Sequence, residues 1–83
     1  MTTGARVRII PEAVELADLR SALEAFENLT GEICVASTSG ECAVRLPEGV
    51  TVPGYSFEIL DGEGRHYINV HWRHVEEVVL LVG

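Results

Sequence analysis

The sequence predicts a mostly β, α+β fold: a strongly bent antiparallel sheet of about five to six strands, with one helix between the first and second strands. Three observations carry this. Short runs alternate apolar and polar residues, the period-2 signature of strands with one buried face. Clusters containing Gly, Ser and Pro separate those runs at hairpin spacing. One segment alone, residues 16–26, repeats its apolar residues at helical spacing. With 83 residues and 47% apolar content, the chain suits a single domain over 1–83 with a real core.

Each element has its own warrant. Residues 5–10 alternate Arg6 and Arg8 with Val7 and Ile9, a half-buried strand that Pro11 ends. On a helical projection Leu16, Leu19, Ala22, Leu23 and Phe26 form one stripe, with Arg20, Glu24 and Glu27 opposite. Carrying that helix back to Glu12 and Glu15 would drive both carboxylates into the stripe. The helix is therefore expected to start at Asp18, an N-cap accepting from the amide of Ser21, and to end at Asn28 or Gly31. Residues 12–17 become an irregular lead-in. Beyond Gly31, residues 33–37 and 42–46 flank Thr38, Ser39, Gly40 and Glu41 as a hairpin. The stretch 47–54 holds two Pro and two Gly and reads as a loop. Residues 55–60 and 65–72 then flank Asp61, Gly62, Glu63 and Gly64. A two-residue turn at Glu63 and Gly64 pairs Ile59 with Ile68 and Phe57 with Val70, all on one face. Residues 73–77 read as a single helical turn, and residues 78–82 as a closing strand apolar on both faces.

This order resembles an SH3-like small β-barrel. The resemblance lies in LTGEICVASTSGECAVRLPEG, a Gly-led strand, tight turn and Arg-containing strand, and in HYINVHWRHVEEVVLLV, a strand, short helical turn and closing strand. It covers most of the chain as pattern, without a signature motif. In such barrels the last strand pairs with the first, which would join residues 78–82 to 6–10 and remove an open edge. The helix between the first two strands departs from the family, where a loop is usual. An Sm-like barrel is a close cousin, and a plain α+β sheet with one packed helix is the rival. The resemblance implies a binding module and names no ligand.

Thirteen acidic residues face 6 Arg and no Lys, for a net charge of −7. Nucleic-acid backbone and anionic membrane both demand a basic surface, so direct contact with either is disfavoured. A protein partner with a basic face is compatible with the charge. Missing Lys beside abundant Ala, Val, Gly, Glu and Arg points to coding bias in a GC-rich bacterial or phage genome. Residues 1–10 lack the apolar core of a signal peptide, and the longest apolar run, 78–82, falls far below a bilayer span. A soluble, cytoplasmic protein is expected.

Chemistry finds little purchase. Hydrophobic pairing across the hairpin puts Ile33 and Val35 on the face of Val44 and Leu46, and Cys34 on the face opposite Cys42. Two free thiols are expected, with Cys42 in the core. His66, His71 and His74 match no metal spacing, no C-x-x-C is present, and parity splits His66 from His71; no metal or other cofactor is expected. Ser21, Ser37, Ser39 and Ser56 lie in no nucleophile elbow, and Asp61 to Gly64 reads as a turn rather than a calcium loop. The protein is expected not to be an enzyme.

Aromatic residues give the sharpest functional signal. By alternation Phe57, Ile68, Val70 and Trp72 point inward while Tyr67, Asn69 and His71 point outward. Trp72 is then either a core plug or part of a partner-binding groove formed by Tyr67, His71, Trp72, Arg73 and His74. The expected function is a small acidic protein–protein interaction module or accessory subunit using that surface. One alternative is an acidic phage-type inhibitor that mimics nucleic acid, which requires Glu24, Glu27, Glu32, Glu41, Glu48 and Glu58 to share one face. Another is a self-assembling structural component, a homo-oligomer joined through a strand edge or residues 78–82.

Overall fold

The computed structural model describes residues 3–58 and 64–78, and these form a mostly β globule with one α-helix. The strands are β1 (Arg6–Ile9), β2 (Thr30–Ala36), β3 (Glu41–Arg45), β4 (Ser56–Glu58), β5 (His66–His71) and β6 (Val75–Glu77). The helix α1 (Ala17–Glu24) lies between β1 and β2, and short 3-10 turns occupy Pro11–Ala13 and Trp72–His74. All six strands join one antiparallel sheet in the order β4-β5-β3-β2-β1-β6. Among the described residues β4 and β6 remain edges, so the sheet is not closed.

The expected alternation in β1 holds, with Val7 and Ile9 fully buried and the arginines facing out. The closing strand does pair with β1, yet it begins earlier than expected: Val7 faces Glu77 and Ile9 faces Val75. Residues 75–77, expected to belong to a single helical turn over 73–77, form β6 itself, and the turn covers Trp72–His74. Of the expected closing strand, residues 79–82 lie outside the described residues.

Three expectations for the helix need correction. Its N-cap is Leu16, without a side-chain cap bond, and Asp18 sits in the first turn instead, where its charge favours the helix dipole. Leu16 is 61% exposed and leaves the apolar stripe, whose buried member is Leu23, flanked by Leu19, Ala22 and Phe26. The helix ends at a cap on Ala25, short of Asn28. The reason is Leu29, which is buried and whose carbonyl accepts from the Ile9 amide at 2.9 Å; the chain must already be extended there.

The β2–β3 hairpin answers two demands at once. Its loop, Thr38 to Gly40, is closed by the Ser37 amide donating to the Glu41 carbonyl at 2.8 Å, and Gly40 supplies the left-handed backbone at φ +96°. That three-residue loop pairs Ala36 with Cys42 and Val35 with Ala43. The core requires the other parity, Ile33 opposite Val44, and a β-bulge at Cys34 restores it. Ile33 and Val44 are fully buried as expected, but Val35 is turned out and 62% exposed, correcting its placement on the core face. Both cysteines are free, and Cys42 is a core residue.

In β4 the register also departs from expectation. Phe57 faces Tyr67, not Val70, and Ile68 faces Ser56. An offset of an odd number of residues inverts the face, so Phe57 points away from the core and is 38% exposed. Ile59 and most of the expected turn, residues 59–63, lie outside the described residues.

The core gathers Val7, Ile9, Ile33, Val44, Ile68 and Val70 from the sheet, Leu23 from α1, and Val52 from the long β3–β4 loop. Gly31 in β2 permits this packing: a methyl group there would lie 2.6 Å from the Arg45 carbonyl oxygen and 2.5 Å from Val44 Cγ1.

Candidate functional site

Strand β5 delivers the candidate surface and then stops. His71 is its last residue and faces Glu41 of β3. The chain then turns through Trp72–His74, which takes Trp72 out of the strand alternation; its indole is 55% exposed and does not plug the core. The Trp72 amide donates to the Gly40 carbonyl at 2.7 Å, tying the turn to the β2–β3 loop. Gly40 is buried beneath Trp72 and His71, and a Cβ there would collide with Cδ1 and Nε1 of the indole and with Nε2 of the imidazole.

Local hydrogen bonds hold the turn. The His71 amide donates to His74 Nδ1 at 3.3 Å, while the Arg73 amide and Arg73 Nε donate to His71 Nδ1 at 3.2 and 3.1 Å. The His71 ring lies 5.6 Å from Trp72 and 6.0 Å from His74, centroid to centroid. Arg73 reaches Glu15 at 3.8 Å across exposed surface. Burial holds the His74 imidazole below the ordinary histidine range; His71 and Arg73 push the same way, and Glu15 opposes them.

His71, Trp72, Arg73 and His74 therefore come together, but Tyr67 does not join them. It lies four residues back along β5, on the face away from the core, only 6% exposed and stacked on Phe57 at 6.1 Å. Its expected outward direction is correct in register; its expected exposure is not. Two grooves flank the cluster. One, of about 450 Å³, is lined by Leu19, Val35, Ala43, Val70, His71 and His74 among others. The second, of about 530 Å³, runs between Ala36, Ser37, Thr38, Gly40, Cys42 and Trp72. Alternation alone missed the contribution of Gly40, Ser37 and Val35, because all three depend on the loop length and the bulge. The Thr38-Ser39-Gly40 turn was the available signal. In the Cys42 thiol, which also borders both grooves, burial raises the proton affinity above the ordinary range.

The acidic candidates are dispersed. Glu24 closes α1, Glu27 follows it, and both line a separate groove with Arg8 and Glu12. Glu32 is bound to Arg45 Nη2 at 2.9 Å on the outer face of the sheet, and its charge raises the Arg45 affinity for its proton. Glu41 starts β3, Glu48 lies in the following loop, and Glu58 pairs with His66 at the other end of β5. Among the described residues no three His, Cys, Asp or Glu side chains are placed to share a metal ion. Nor is any helix there long and apolar enough to cross a membrane.

Comparison with protein-family models, with curated proteins and with solved structures gives no match for this chain.

Proposed function

We propose that the protein is a non-enzymatic interaction module that binds a peptide segment of a partner protein on the surface centred on Trp72, with His71, Arg73 and His74 beside it. One observation carries the reading: Trp72 is 55% exposed and nevertheless fixed, its backbone bonded to Gly40 and its ring against Gly40 and His71. Large aromatics concentrate binding energy, and one already immobilised loses little entropy when a partner arrives. The flanking grooves give a bound chain somewhere to lie. Tyr67 contributes from behind, supporting β5 through Phe57 and Arg45. The SH3-like barrel is the proposed type. Its support is the order β6-β1-β2-β3-β5, the short turn just before β6, and the pairing of β6 with β1. Two free thiols favour a reducing, cytoplasmic setting.

Nucleic-acid mimicry loses support from the dispersal of Glu24, Glu27, Glu32, Glu41, Glu48 and Glu58, and from the neutralisation of Glu32 by Arg45. Self-assembly through residues 78–82 draws no support here, since only Val78 of that run is described, donating to the Arg6 carbonyl at 2.9 Å.

The test is selection of a random peptide library on the folded protein, read through the fluorescence of Trp72, its only tryptophan. Selected peptides are expected to shift that emission, and to lose at least about tenfold in affinity with Trp72→Ala. They should bind Glu27→Ala, in the separate groove beside α1, normally. Peptides indifferent to Trp72→Ala, or no enrichment at all, would sink the proposal.

A further inference from the structure

The hydrogen bonds of the Trp72–His74 turn dictate the protonation state of two histidines. A backbone amide can only donate, so His74 Nδ1, which receives the His71 amide at 3.3 Å, must carry a lone pair. His71 Nδ1 receives the Arg73 amide and Arg73 Nε, both obligate donors, and must do the same. Each ring thus presents Nδ1 as an acceptor, the arrangement of an imidazole whose N–H is at Nε2. An imidazolium has no acceptor left. A proton on either Nδ1 would set donor against donor, and on His71 it would also place a second cation against the Arg73 guanidinium.

We propose that this turn is an acid-released latch: proton uptake at Nδ1 of His71 or His74 breaks the bonds that hold it and frees Trp72 from Gly40, dismantling the binding surface. The latch itself stands on the turn geometry, and only its consequence for binding rests on the function proposed above.

Several charged or titratable groups surround it. Arg73 opposes protonation of His74, and Glu15, preceding α1 and 3.8 Å from Arg73, favours it. Glu41 of β3 faces His71 across the ladder. On β6, Glu76 is engaged by Arg8 at 2.7 Å, while Glu77 faces Val7. The Cys42 thiol borders the same groove in its neutral form. Burial decides the balance at His74, whose proton affinity is lowered despite Glu15. Release is therefore expected on the acid side of the ordinary histidine value of about 6.5.

The free, full-length protein supplies the test. Trp72 emission and near-ultraviolet circular dichroism are followed from pH ~8 to ~4.5, with far-ultraviolet dichroism reporting the sheet. A red shift of the emission is expected, with its midpoint below about 6.5 and the far-ultraviolet signal kept. The double variant His71→Asn/His74→Asn keeps an acceptor oxygen in place of each Nδ1 and takes up no proton in this range. It should hold the neutral-pH spectrum throughout. A flat wild-type titration, or a double variant with an unchanged midpoint, overturns the latch. Should the double variant not fold, nitrogen NMR of histidine-labelled wild type at pH ~8 decides: Nε2–H tautomers on both rings support the latch, and an Nδ1–H tautomer on either defeats it. The two ideas also fail separately. A spectral transition without any selected peptide removes the interaction module and leaves the latch. Selected peptides that bind equally well across a measured transition remove the latch as a control of binding.

Discussion

Adding a methyl group at Gly40 would drive it into the Trp72 indole and the His71 imidazole, at a backbone φ of +96° that L side chains rarely adopt. The left-handed conformation costs about 1–2 kcal/mol and the overpacking about 1–3. Gly40→Ala is therefore expected to lower unfolding free energy by about 2–5 kcal/mol in urea titration and to change the Trp72 emission of the folded protein. A loss below ~0.5 kcal/mol would show that the indole does not rest on Gly40. Trp72→Ala should behave in the opposite way. With its ring half in water, truncation is expected to cost only about 1 kcal/mol while removing peptide binding, again read from urea titration beside affinity. The same residue shows where the sequence stops speaking. Trp72 falls at an inward position if β5 runs to its expected end. One residue of difference in where the strand stops moves it from core to surface.

Ser56 sets the scale for the long β3–β4 connection. Its hydroxyl accepts from the Val52 amide at 2.8 Å and donates to the Val52 carbonyl at 3.1 Å, fastening a fully buried Val52 under the loop. Ser56→Ala leaves the Val52 amide without its acceptor, while the carbonyl keeps the Tyr55 and Ser56 amides at 3.0 and 2.8 Å, and is expected to cost about 1–3 kcal/mol, measured as a fall in the urea midpoint. The Arg8–Glu76 pair joining β1 to β6 is half-exposed, and Glu76→Gln should cost less than about 1 kcal/mol by the same measure. The strands β1 to β5 and the single helix were legible in the sequence, because alternation and turn residues act locally; β6 was not, since it occupies residues 75–77, which read as part of a helical turn. Nor was register. Whether Val35 or Phe57 faces the core depends on the count of residues in a turn or a bulge, and a miscount of one reverses every side chain beyond it. Val52 escaped notice because a buried valine inside a Pro- and Gly-rich loop follows no period. The cluster of His71, Trp72, Arg73 and His74 could be read as four neighbours in the chain, whereas Gly40 joins it only through folding.

At the scale of the whole molecule, a net charge of −7 on 83 residues means self-repulsion in the compact state. Added salt screens it, so raising NaCl from ~10 to ~150 mM is expected to raise the melting temperature by calorimetry. Acid works through His74. Because folding holds this group below its ordinary value of 6.5, the unfolded chain takes up a proton that the folded chain resists. Its contribution to stability is complete above about 6.5 and is lost as the pH falls towards the depressed folded value, so the urea midpoint should drop between pH ~7.5 and ~5.5. An unchanged midpoint would mean that His74 is as free to protonate in the folded state as in the unfolded chain. The bulge at Cys34 has a consequence for chain length. Strand β2 holds one more residue than its ladder has rungs, since Ile33 already meets Val44 and Val35 already meets Ala43. Cys34 can be excised without moving a single neighbour onto a new partner, whereas removing Val35 would move Cys34 onto Ala43. What Cys34 supplies is curvature. A chain of 82 residues lacking it should keep every cross-strand contact in an amide-proton NMR map and differ only in how sharply the sheet bends, making the fold's pairing and its curvature separately inheritable traits.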